Sequence, residues 1–338
     1  MIDYYKVIDM GNNIYYIWEP AGTASSLILG KTRALLIDTG YGYGDLKSVV
    51  RSLTDLPLRV VNTHCHIDHA GGNYLFQGNT RVVDEREISL QTIDFGKRNI
   101  KSADSENRDV ADITVDGKVT ENRNEIENQP ESDFSIGINP YEETVYRLYQ
   151  TEQKPLVIQK ILREKSPEEY PWPQDFAREK YLEYKDCKFD ALQDGEIIDL
   201  GERKVRVIFL PGHTKGSVVF FDEQTGTLFS GDNISNSLWI QFDQSEDVYQ
   251  FAKHLREVQK LPIQKIISSH KQTPWPPEII QLELDAIAHI TLEDSRTFIH
   301  PRTGARALKY KYPIQEINGA KSIYIVYRKE SMINSNER

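Results

Sequence analysis

The chain has 338 residues, about twice an ordinary domain, which implies two modules or one fold carrying an insertion. Only two cysteines occur, Cys65 and Cys187, so a disulfide scaffold and a thiolate zinc cluster are both excluded. A formal charge of −10 argues against nucleic-acid partners, and with no leader-like or membrane-length apolar run the expectation is a cytoplasmic protein without a membrane partner.

Taken in order, the first 65 residues predict short strands at 14–18, 26–29, 34–38 and 59–62, separated by Gly22, Gly30 and the glycines between 40 and 44. Leu46, Val49, Val50 and Leu53 recur at helical spacing, which predicts a helix over 44–53. From about 84 to 194 the composition changes. Residues 101–135 alone hold ten acids against four bases, and apolar residues are sparse there. Asp116-Gly117 carries a hairpin signal over 113–120, and 141–165 and 174–188 have helical spacing. This part reads as a mainly helical insertion, acidic, serving as a lid or a contact in a homodimer. Strands resume at 205–210, 218–222, 227–230 and 265–268. Helices follow at 246–260 and 276–290, and residues 276–338 form a helix/strand extension closing on a strand at 322–327. The fold class is therefore α/β, with a large sheet content early and late in the chain.

The chemistry concentrates in His64-Cys65-His66-Ile67-Asp68-His69, directly after the apolar strand at 59–62. Three imidazoles and a carboxylate within six residues crowd potential cations, an arrangement that a metal ion relieves. Neutral imidazole mixed with carboxylate suits zinc, iron or manganese rather than calcium or magnesium. His213, Asp232 and His270 each follow a further predicted strand, where rigid elements deliver side chains to a shared rim. Cys65 between two such residues reads as a packing residue, and His254, His289 and His300 as histidines outside the site. Tyr170, Trp172, Trp239 and Trp275 are candidates for the wall of a substrate pocket.

The order His64-x-His66-x-Asp68-His69, His213, Asp232, His270, with Leu36-Ile37-Asp38-Thr39-Gly40 upstream and Gly212-His213-Thr214 downstream, resembles the metallo-β-lactamase superfamily over about residues 10–80 and 195–275. The resemblance implies a single four-layer αβ/βα sandwich over 1–338, two mixed β-sheets face to face with helices outside. It also implies two divalent ions per chain, zinc first, with iron or manganese possible. His64, His66 and His213 would hold one ion, Asp68, His69 and His270 the other, and Asp232 would bridge. Asp68 and Asp232 are then the catalytic carboxylates, Asp68 as proton shuttle, while Asp38 reads either as a carboxylate orienting one of the histidine rings from behind or as a turn-capping residue before Thr39-Gly40. Two divalent ions, two carboxylates and a bridging hydroxide sum to about +1, a site that acidifies water toward neutral pH and attracts a polarised oxygen.

Within that superfamily, enzymes opening β-lactams typically carry cysteine where Asp232 stands, and the flavin-linked di-iron reductases replace the histidine at position 66 by an acid. The glyoxalase II and lactonase side fits better: a small-molecule ester, thioester or lactone, hydrolysed at its carbonyl. A phosphodiesterase using the same site, or a metal-binding sensor without turnover, are the alternatives.

Overall fold

A computed structural model describes residues 4–77, 135–155, 158, 172–173, 176–183, 186–301 and 304–330. The hairpin expected at 113–120, most of the acidic stretch and Tyr170 lie outside the described residues. The first sheet runs in chain order through β1 (Lys6–Asp9), β2 (Ile14–Glu19), β3 (Thr23–Leu29), β4 (Ala34–Ile37), β5 (Leu58–Val61), β6 (Ile136–Ile138) and β7 (Phe189–Ala191). It is antiparallel up to β4 and parallel from β4 onward. The second contains β8 (Ile197–Asp199), β9 (Lys204–Phe209), β10 (Val218–Asp222), β11 (Thr227–Gly231) and β13 (Lys265–Ser268), with β13 parallel to β11.

The two sheets face one another through Ile14, Tyr16, Ile28, Leu35 and Val61 on one side and Val205, Val207, Val218, Phe220 and Phe229 on the other. Strands covered on both faces need apolar side chains at nearly every position, which is why Ala34–Ile37 and Val218–Asp222 are continuous buried runs rather than alternating ones. Behind the first sheet lies α1 (Leu46–Leu53). Its Asp45 cap accepts from the Ser48 N–H at 3.0 Å, and Leu46, Val49 and Val50 are buried. Behind the second lie α5 (Val248–Val258), capped by Asp247, and α6 (Glu278–Ala288). The short helices α2 (Ile67–Ala70), α3 (Tyr141–Leu148) and α4 (Arg178–Leu182) complete the set used below. This is the four-layer α/β sandwich that the motif order implied. Among the described residues no helix is long and apolar enough to cross a membrane.

One expectation needs addition and one correction. The described part of the insertion is mainly helical, as expected, through Tyr141–Leu148, Tyr149–Gln153 and Arg178–Leu182, but it also contributes two short strands that were not expected: β6 pairs with β5, and β7 with β6, extending the first sheet. Three-residue strands carry too short a pattern to be seen as period two. Two sheets were expected, and there are three. β12 (Ser237–Ile240), β14 (Arg296–Ile299), β15 (Arg306–Ile317) and β16 (Ala320–Tyr327) form a separate four-stranded sheet in the order β12-β16-β15-β14. One of its faces, carrying Leu238, Tyr310, Ile323, Ile325 and Tyr327, packs with α5 and α6. The charged residues of β15 mask its apolar alternation, so only β16 was legible.

Candidate metal centre

Five of the predicted ligands stand in the loops that follow strands, Asp68 and His69 lie in the short helix α2, and these segments converge. His64 and His66 follow β5, His69 sits in α2, and His213, Asp232 and His270 follow β9, β11 and β13. Nitrogen and carboxylate atoms of His64, His66 and His213 lie within 4.8 Å of one another, as do those of His64, His69 and Asp232, and of Asp68, His69 and His270. The tight turn after the ligands depends on Gly71, where a Cβ would stand 2.3 Å from the Tyr41 carbonyl oxygen.

The ring orientations follow from what holds each Nδ1. Carbonyl oxygens of Trp239 and Gly22 accept from Nδ1 of His213 and His270, at 2.5 and 2.6 Å. Asp38 accepts from His69 Nδ1 at 2.9 Å. Thr63 Oγ1 donates to Asp38 at 2.8 Å and so accepts from His64 Nδ1 at 3.1 Å. With Nδ1 carrying the proton in these four rings, each Nε2 lone pair is directed inward. His66 uses the other edge: its Nδ1 lies 2.9 Å from His213 Nε2. Among the described residues, buried Nε2 of His64 and His69 and Oδ1 of Asp232 have no hydrogen-bond partner. Orphaned polar atoms of this kind are costly unless a cation takes them, so the residues fit a divalent metal.

Charge tells the same story. Burial, reinforced by the neighbouring His69, His66 and His213, pushes the His64 imidazole well below its ordinary value, and His66 is pushed down likewise by burial and His213. Neutral rings are what ligation requires. Burial would raise the Asp232 carboxyl, but His270 and His69 hold it well below the usual carboxylate range. Burial would lower His69 too, yet Asp232 and Asp38 raise it. The centre is thus organised to hold positive charge between carboxylates.

A pocket of about 440 Å3 opens on this cluster. Trp239 and Trp275 line it, as expected for wall residues, together with Tyr149, Phe242 and Lys271. Trp172 does not: it packs on Phe176 at 4.2 Å and Tyr43 at 4.8 Å between ring centroids, captured by the aromatic cluster beside Tyr41. His300, read as lying outside the site, is buried and lines the pocket, its ring 5.3 Å from Trp239 and 5.6 Å from Phe242. His254 and His289 stay outside, and Cys65 is fully buried in the core beside the first sheet.

Several residues went unread. Tyr149, from the insertion, sits with its ring 4.7 Å from that of His66. Glu142 in α3 is buried at 1% exposure and joins the two histidine loops: Cys65 N–H donates to it at 2.7 Å and the Thr214 hydroxyl at 2.6 Å, and the Gly216 N–H donates as well. Glu142 is one acid among many in an acidic insertion, so no sequence signal marked it. Glu19, also buried, accepts from the Tyr41 N–H at 2.9 Å and the Tyr4 hydroxyl at 3.2 Å.

Burial pushes the Glu19 carboxyl up to about 7 from an ordinary 4.5. An acid raised on folding stabilises the native state while protonated, and that contribution is lost as pH rises from about 4.5 through about 7. Glu19→Gln should therefore gain stability over the parent between about pH 5 and about pH 8, by up to about 3 kcal/mol. Urea unfolding of metal-free protein at both pH values measures it; equal pH slopes for the two proteins would contradict the assignment.

A sandwich with histidine and aspartate converging from its strand ends defines a metal-binding hydrolase class. The model for the metallo-beta-lactamase superfamily matches residues 18–140 and 150–270, and the chain belongs to that superfamily. It is a metal-dependent hydrolase. Among curated relatives, the bovine and human proteins named acyl-coenzyme A thioesterase MBLAC2 are each 25% identical over 308 residues, covering 85% of this chain and 88% of theirs. A hydroxyacylglutathione hydrolase from Methylococcus capsulatus is 34% identical over 85 residues, covering 25% of this chain and 32% of its own length. Among solved structures, a metallo-beta-lactamase family protein from Thermus thermophilus aligns over 83% of this chain and 80% of its own, with 17% identity and a TM-score of 0.48.

Proposed function

We propose that the chain hydrolyses the thioester or ester bond of a small molecule at a two-metal site. The observation that carries this is the placement of Asp232. Its Oδ2 lies 3.6 Å from His213 Nε2, while Oδ1 lies 3.4 Å from His69 Nε2 and 3.2 Å from His270 Nε2, so its two oxygens address different halves of the cluster. His64, His66 and His213 would hold one ion, Asp68, His69 and His270 the other, with Asp232 shared. Such ions supply Lewis acidity for a carbonyl oxygen and acidify water toward neutral pH, zinc being the first expectation and iron or manganese suiting the same donors.

The chain's own groups do the rest. Asp68 Oδ2 lies 3.7 Å from His270 Nε2, on the pocket wall that Asp232 shares, placed to pass a proton to the leaving group. Asp38, Trp239 O and Gly22 O keep the rings in one tautomer and orientation. Trp239, Phe242, Trp275 and Tyr149 exclude water from the acyl side. The relatives named acyl-coenzyme A thioesterase support a thioester ahead of an ester or lactone.

Protein stripped of metal and reloaded with zinc or manganese is assayed on an acyl thioester, nitrophenyl acetate, a homoserine lactone and bis-nitrophenyl phosphate. Metal-dependent turnover, fastest on the thioester, is expected. Preference for the phosphodiester, or no metal-dependent turnover at all, would defeat the reading.

A further inference from the structure

One face of the third sheet leads from the metal centre to a basic cleft. Trp239 of β12, whose carbonyl holds His213, is in register with Val326 of β16, Val326 with Lys309 of β15, and Lys309 with Arg296 of β14. Two residues further along β15, Lys311 shares that face, opposite Tyr324. Ring contacts confirm the continuity. Trp239 meets Phe298 at 5.3 Å, and the Lys309 ammonium stands 5.7 Å from Phe298 and 4.3 Å from Tyr324. At the far end a cleft of about 790 Å3 is lined by Arg296, Lys309, Lys311 and Tyr324 and by one carboxylate, Asp294. Asp294 is engaged by the Thr291 hydroxyl at 2.6 Å.

Among the described residues none of the three cations has a carboxylate partner, in a protein with ten more acids than bases. Arg296 and Lys309 even stand directly opposite on neighbouring strands, where like charges destabilise pairing. That cost is offset when a multiply charged anion lies between them. Strand spacing places Lys309 roughly 10 Å and Arg296 roughly 14 Å from Trp239. The cleft is of the size that takes a nucleotide-sized group.

We infer that this cleft binds the phosphate-bearing half of an extended thioester substrate, a nucleoside-phosphate thiol carrier whose acyl end enters the pocket at the metal centre. The inference rests on the thioester reading. Phosphate charge is met by Arg296, Lys309 and Lys311, Arg296 being suited to two-pronged contact. The carrier's linking arm runs over Phe298 and Trp239.

The test uses metal-loaded protein with two probes bearing the same acyl group: its coenzyme A thioester and its phosphate-free N-acetylcysteamine thioester. Binding of free coenzyme A, followed by calorimetry, needs no turnover. In Arg296→Gln/Lys309→Gln/Lys311→Gln the ratio of kcat/KM for the phosphate-bearing over the phosphate-free thioester should fall at least about tenfold, through KM, and the Kd of free coenzyme A should rise comparably. The single exposed change Lys311→Gln, which removes no packing, should move both in the same direction. Parent protein that hydrolyses both thioesters with a ratio and a Kd indifferent to these changes would overturn the cleft and leave the thioester reading standing. Parent protein that hydrolyses neither but binds coenzyme A in a cleft-dependent way would overturn the thioester reading alone.

Discussion

On the proposed two-metal reading, Asp232→Ala should lose at least one of about two metal ions per chain and lower kcat/KM at least about a thousandfold, because a shared carboxylate would serve both ions at once. The structure makes that expectation specific. Asp232 is a carboxylate within 3.6 Å of His213, His69 and His270 together, the first and last from loops after β9 and β13 and His69 from α2. Without it, His69 and His270 lose the anion they share, leaving Asp68 beside His270 and Asp38 behind His69. Metal analysis of the purified variant, beside circular dichroism to show that the sandwich persists, measures the effect. Full metal content in a folded Asp232→Ala protein would rule out the shared role.

The second large effect concerns stability as much as chemistry. Glu142→Ala should destabilise metal-free protein by about 3 kcal/mol, since it leaves the Cys65 N–H, the Thr214 hydroxyl and the Gly216 N–H without their buried acceptor. Those donors flank His64, His66 and His213, so metal occupancy should fall beyond what lost stability alone explains. Glu142→Gln keeps the shape and one acceptor oxygen, and should recover part of both losses. Urea unfolding with and without metal separates the two effects. If Glu142→Ala unfolded at the parent's urea midpoint, the carboxylate would not be the clamp between the two loops.

Burial pushes the Glu142 carboxyl up to about 7, against the lowering by its three donors. The residue comes from α3, inside the stretch that the composition marked only as acidic and polar. The insertion therefore reaches the centre twice, through Glu142 behind the ligands and Tyr149 in front of them.

Much of the centre was legible in the amino-acid order. The structure brings the seven ligand candidates together, sets Asp38 against His69, and lines the pocket with Trp239 and Trp275. The central strands at 34–38, 218–222 and 265–268 were equally plain, because continuous apolar runs bounded by glycine and polar turns have few alternatives. Trp172 was misread because an aromatic residue carries no label distinguishing a pocket wall from a packed cluster such as that of Tyr41 and Tyr43.

What the sequence by itself determined was donor chemistry and its order along the chain: imidazole and carboxylate identity is written in residue type, and short-range pattern places each at the end of a strand. The tertiary structure alone decided which distant segments meet there. The third sheet, the buried Glu142, His300 in the pocket wall and the row from Trp239 to Arg296 all depend on pairings between residues up to many tens of positions apart. Such pairings are selected by the burial of whole faces, a property of packed layers that no local window of sequence contains.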